Sequence, residues 1–150
     1  MLKPEEGLVI RYDFLFENQH EQGQHYGKDR PCAVVLASKI QNEKKWSVVV
    51  CPITHAPPDT LADGAEIPTK VRDYRGLDEG RSWIKVNELN RILWEGDRIP
   101  FGVSPVTKGQ WKYGYLPRAL YRQMRSGVER YARLRRVTIV DRDENTGPSD

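Results

Sequence analysis

Apolar residues fall into short runs along this chain, and the rhythm of each run predicts an element. Leu8–Phe14 carries Val9, Ile10, Tyr12 and Phe14 and predicts a first strand. Cys32–Ala37 and Ser47–Ile53 are almost unbroken apolar stretches, as expected of strands buried on both faces. The polar cluster 41–45 separates them as a turn. Residues 17–29 are polar with two glycines and predict a long loop. Pro57-Pro58-Asp59 reads as irregular, Glu66-Ile67-Pro68 as the start of an edge strand, and Gly76 and Gly80 as bracketing a turn. Ser82–Asn87 alternates, Trp83 and Lys85 against Ile84 and Val86, and predicts another strand, with a short one at Ile92–Trp94. Residues 96–114, with four glycines and two prolines, read as loop.

The rhythm changes once. Leu116, Leu120, Met124, Val128 and Tyr131 recur at helical spacing, predicting a helix over 116–136 with Pro117 in its first turn. Val137–Val140 is β-branched and suits a terminal strand, and the acidic segment 141–150 is expected to be disordered. Short strands with frequent turns and one late helix predict a mainly β fold, a small twisted barrel or sheet, in a single domain over residues 1–140.

Composition narrows the class. Apolar residues make up 38% of the chain, enough for a small core, yet no run approaches the roughly 20 needed to cross a bilayer. Met1-Leu2-Lys3-Pro4-Glu5-Glu6 lacks the basic start and apolar stretch of a secretory signal, so a cytoplasmic location is expected. Cys32 and Cys51 sit inside the apolar runs and read as buried, reduced thiols. The net charge of +3 conceals an asymmetry: seven arginines and one acid, Glu129, lie between 118 and 136. That asymmetry suggests an anionic partner for the basic part, and the alternative is a solvated helix face.

Polar residues stand at the ends of the two apolar runs. Arg30 opens the first and Thr54 closes the second. If the strands pair antiparallel, a guanidinium and a hydroxyl meet at one sheet edge, a receptor suited to a phosphodiester. The alternatives are an ion pair of Arg30 with Asp29 or Asp13, and a backbone-capping hydroxyl at Thr54. His20, His25 and His55 are the candidate metal ligands, but no cysteine or carboxylate stands beside them at ligand spacing, so no cofactor is expected. Tyr26 and the Trp111-Lys112-Tyr113 cluster are the aromatics best placed to stack on unpaired bases, with Lys28 and His55 as further RNA contacts.

The order of these features resembles the MazF/PemK (Kid) family. The resemblance rests on Gly7 and Asp13 flanking the first strand and a polar loop. Arg30-Pro31 then opens a Val-rich strand, followed by Pro52-Ile53-Thr54, Gly76-Leu77, Ser82–Val86 and Asn90-Arg91-Ile92. It covers roughly residues 7–100. It implies an SH3-like barrel with a C-terminal helix and a homodimer. It also implies a metal-independent endoribonuclease toxin, a growth inhibitor that cuts single-stranded RNA and is neutralised by a cognate antitoxin. The arginine before proline, Arg30, and the threonine closing Pro-Ile-Thr, Thr54, would be catalytic. Attack by the substrate's own 2′-hydroxyl needs a proton acceptor, for which His25, Glu21, Asp29 and His55 are candidates. This chain has a longer loop before Arg30, an acid directly preceding it, and an extension through 101–115 and the tail. The alternative reading is a non-catalytic nucleic-acid- or protein-binding barrel, including a gyrase-targeting toxin of the CcdB kind.

Overall fold

The computed structural model describes residues 2–40, 44–60, 63–74, 77, 80–96 and 98–142. Strand β1 (Leu8–Phe14) leads through helix α1 (Glu17–Glu21) into β2 (Lys28–Lys39) and β3 (Lys45–Thr54). There follow β4 (Gly64–Glu66), helix α2 (Thr69–Tyr74), β5 (Trp83–Lys85) and β6 (Glu88–Glu95). Two short strands, β7 (Val103–Ser104) and β8 (Gly114–Tyr115), precede helix α3 (Arg118–Arg133) and β9 (Thr138–Asp141).

The sheet is antiparallel except at one edge. β1 pairs β2, and β2 pairs β3 with a bulge between Val34 and Leu36. β3 then divides its far edge, its body pairing β6 and its last two residues pairing β5. β9 adds to β6 in parallel.

Side-chain alternation splits the interior into two cores. Leu8, Ile10, Tyr12 and Phe14 pack with Cys32, Val34, Val48, Val50, Ile92 and Trp94 on one face. Val9, Ala33, Val35, Cys51, Ile53 and Ile84 pack on the other beneath Leu120, Met124 and Val128 of α3. The continuous apolar runs are thus strands covered on both sides. Gly127 lets α3 come down on the sheet, since a Cβ there would sit 3.0 Å from Val86 Cγ2.

Four expectations need correction. The sheet curls around the first core without closing into a barrel. Its ladder ends at β4 and β7, β7 and β8 share the outer edge of β1, and no ladder joins them to β9 among the described residues. Those two-residue strands satisfy the edge of β1 locally, and β9 occupies the free edge of β6. The 17–29 loop contains α1, where Gln19 Oε1 accepts the Phe16 amide at 3.0 Å and Asn18 Oδ1 accepts the Gln19 amide at 2.9 Å, the one a Ser or Thr cap would hold. The late helix is shorter than 116–136: Pro117 is its N-cap, and Leu134 ends it before Arg135 turns to φ 54°. The segment 141–150, expected to be disordered, starts ordered, since Asp141 ends β9 and Arg142 is buried; residues 143–150, and 41–43 of the 41–45 turn, lie outside the described residues.

Candidate active site

β2 and β3 pair with Cys32 opposite Pro52. Continuing that register by two residues brings Arg30 level with Thr54, the juxtaposition expected from the two polar run-ends. Both line one cavity of about 350 Å³, together with Lys28, His55, Trp83 and Lys85. A smaller recess of about 120 Å³ shares Lys28, Arg30, Thr54 and His55.

Arg30 is half-buried, with its guanidinium carbon 5.0 Å from the centre of the Phe16 ring. Its Nε is buried with no hydrogen-bond partner among the described residues. A buried, unsatisfied donor is costly to keep, so such an atom is a place to look for a ligand. The two carboxylates that could have neutralised it are engaged elsewhere. Asp29 lies 3.7 Å from Arg11, while Asp13 accepts the Gly27 amide at 2.7 Å and pairs with Arg142 at 3.2 Å.

The Thr54 hydroxyl donates to Ala56 O at 3.1 Å, so its proton is in use while its oxygen can still accept. His55 Nδ1 lies 3.0 Å from Arg81 O. A carbonyl can only accept, so Nδ1 carries the proton and Nε2 is the basic nitrogen of the neutral ring. Lys85 holds Glu88 at 2.9 Å and lies 5.4 Å from the centre of the Phe16 ring.

The cavity has two electrostatic sides. Lys28, Arg30 and Lys85 supply cations, and Asp59 and Asp63 supply acids. Asp63 is fixed by the Tyr131 hydroxyl of α3, which donates to its Oδ1. Asn87 Oδ1 is buried there without a partner among the described residues. An anionic group with attached hydrogen-bond donors complements these walls.

The remaining expected site residues are dispersed. Glu21, on α1, lines a neighbouring open depression that shares Phe16, Lys85 and Asn87 with the cavity. His25 is exposed in the loop before β2 and does not form part of the described cavity wall. Tyr26 is 65% exposed and meets Phe101 at 6.4 Å, making an aromatic pair outside the cavity. Trp111 and Lys112 precede β8, which pairs the opposite end of β1 from the end that faces Lys28 and Arg30. Lys112 Nζ sits 5.1 Å from the Tyr115 ring centre. Phe16, Lys85, Asn87 and Asp63 were missed. The alternation in Ser82–Asn87 held the signal for Lys85, since Trp83 and Lys85 line the cavity while Ile84 and Val86 enter the core.

Among the described residues no group of three or more His, Cys, Asp or Glu side chains is placed to hold a metal ion. Burial pushes the thiols of Cys32 and Cys51 up, at Cys32 against the opposing pull of the Arg30 charge. Neither is a candidate nucleophile at neutral pH.

One family's pattern matches residues 7–98, the span that holds the strands bearing Arg30 and Thr54. The chain belongs to the PemK-like, MazF-like toxins of type II toxin–antitoxin systems. No curated protein and no solved structure matches it. Every described wall residue of the main cavity falls inside the family's span, whereas α3 and β9 lie beyond it. As a toxin of such a system it has an antitoxin as partner.

The loop before Arg30 is tightly built. A Cβ on Gly27 would lie 1.8 Å from Phe14 O, a backbone atom that cannot step aside. Gly27→Ala should therefore destabilise the fold by about 2 kcal/mol or more, read as a fall in the urea midpoint at unchanged slope.

Proposed function

We propose that this toxin is an endoribonuclease that cleaves single-stranded RNA without a metal, by transesterification through the substrate's 2′-hydroxyl. The 2′-oxygen attacks the adjacent phosphorus as its proton leaves, and the P–O5′ bond breaks. The products are a 2′,3′-cyclic phosphate and a 5′-hydroxyl that takes up a proton. Arg30 grips two phosphate oxygens of the phosphorane with its fork, and its vacant Nε supplies one of the donors. Lys28 adds charge beside it. Thr54 exchanges its bond to Ala56 O for one to a third oxygen. His55, which lines the same cavity, is the candidate acceptor of the 2′-hydroxyl proton. The reading takes residues 1–140 as one functional domain that acts in the cytoplasm as a homodimer, with the antitoxin covering the RNA groove.

The observation that carries it is Arg30, whose Nε has no partner among the described residues, lining one cavity with Thr54, Lys28 and His55. The test incubates the protein with single-stranded RNA in EDTA, beside a strand carrying 2′-deoxyribose at the cut position. Cleavage of the all-ribose strand alone is expected, and equal cutting of both strands rules out the attack described. Thr54→Ala should lower kcat by roughly a hundredfold, with Thr54→Ser retaining most activity. One feature favours a non-cleaving binding module instead, namely the Thr54 hydroxyl already committed to Ala56 O. Intact RNA bound with micromolar affinity would establish that reading.

A further inference from the structure

Arg142, the last described residue, is 6% exposed and lies far from Arg30 in sequence. A buried guanidinium is expensive unless its donors are met, and here they are met by three separate segments. Its Nη1 donates to the Asp13 carbonyl and, at 3.1 Å, to Asn90 Oδ1. Its Nη2 donates to Asp13 Oδ2 at 3.2 Å and to the His25 carbonyl at 3.1 Å. Its guanidinium carbon lies 5.4 Å from the centre of the Tyr12 ring.

The segment that matters is the loop leading into β2. It is held at two points, and Arg142 serves both. The His25 carbonyl is bonded to Arg142 directly. The Gly27 amide is bonded to Asp13 Oδ1, on the same carboxylate whose other oxygen Arg142 holds. One residue beyond Gly27 stands Lys28, and Arg30 follows. The arginine arrives at this position because β9 runs parallel to β6 with Asp141 opposite Arg91, and the Arg91–Asp141 ion pair at 2.9 Å fixes the strand end.

We propose that Arg142 is a positioning residue for the cleavage site. It clasps the 22–27 loop to the end of β1 and so sets where Lys28 and Arg30 stand. β9 is the strap that delivers it, and it lies outside the span the family pattern matches. The proposal rests on the nuclease reading only for its catalytic consequence, because the clasp itself can be observed without any substrate.

The experiment compares Arg142→Ala, Arg142→Lys and the parent protein. Hydrogen exchange at the Gly27 amide should accelerate at least about tenfold in Arg142→Ala, while core amides of β2 and β3 keep their protection. Arg142→Lys has the charge without the fork and should restore protection only in part. Millimolar guanidinium ion added to Arg142→Ala should slow Gly27 exchange again, because it fits the vacated site. RNA cleavage should fall at least about tenfold in Arg142→Ala, with kcat falling more than KM rises, and guanidinium should recover part of it.

Unchanged exchange at Gly27 would overturn the clasp. Faster exchange at Gly27 with unaltered cleavage would overturn its role in positioning. If the parent protein cuts no RNA, the nuclease reading fails while the exchange result still decides the clasp. Should Arg142→Ala lose protection throughout the core, Arg142→Gln and the guanidinium titration decide. Failure of guanidinium to restore Gly27 protection in that folded variant then refutes the proposal.

Discussion

Arg30→Ala should lower RNA cleavage by roughly a thousandfold while leaving the melting temperature unchanged or slightly raised. The two halves of this expectation have one cause. On the nuclease reading the side chain faces the phosphorane's developing charge, and a preorganised donor aimed there is worth several kcal/mol in a partly dry cavity. The same side chain gives the fold little. It lies 5.0 Å from the centre of the Phe16 ring, a contact worth about 0.5–1 kcal/mol. Against that stands a buried Nε with no partner among the described residues, a cost of about 1–3 kcal/mol. The orphaned donor outweighs the ring contact, so removing both should not destabilise. Arg30→Lys keeps the charge and loses the fork, and should recover less than about tenfold of the lost rate. Single-turnover cleavage and a thermal melt on the same preparations check both halves. A large drop in melting temperature would show that Arg30 is held for structure.

Asn90→Ala should cost about 3–5 kcal/mol of stability, the largest such effect expected of a substitution outside the apolar core. Asn90 is fully buried. Its Oδ1 accepts the Leu15 amide at 2.9 Å, and its Nδ2 donates to Leu15 O at 2.7 Å and Leu89 O at 3.0 Å. Truncation orphans the amide and the carbonyl of Leu15, and it takes one acceptor from the buried Arg142 charge. For a chain of this size the loss reads as a fall of about 10 °C in melting temperature. Asn90→Leu should do no better, because filling the volume leaves the same backbone groups unmet. A fall of a degree or two would mean that water reaches Leu15 in the folded state.

Much of this fold was legible because its strands obey alternation or continuous burial. Leu8–Phe14 is β1 as the pattern has it, and the two apolar runs are β2 and β3. That Arg30 and Thr54 share one cavity was legible for the same reason, since an antiparallel ladder fixes which run-ends come together. Other elements left no periodic trace. α1 is five residues long with no buried side chain, so no stripe announces it in Glu17–Glu21. α2, between Pro68 and residue 75, is equally short. The openness of the sheet was illegible, because it depends on two-residue contacts made by residues 103–104 and 114–115. The far wall of the cavity was hidden too. Asp63 is ordinary in sequence and becomes part of the site through a hydroxyl on Tyr131.

The parallel pairing of β6 with β9 sets a schedule for the toxin's birth. β6 ends at residue 95, but its outer edge is filled by residues 138–141, and Asp63 waits for Tyr131. A chain emerging from the ribosome therefore carries the cavity's described wall residues before it carries what steadies them. A product truncated before residue 131 would carry the cavity's described wall residues without the hydroxyl and the strand that steady them.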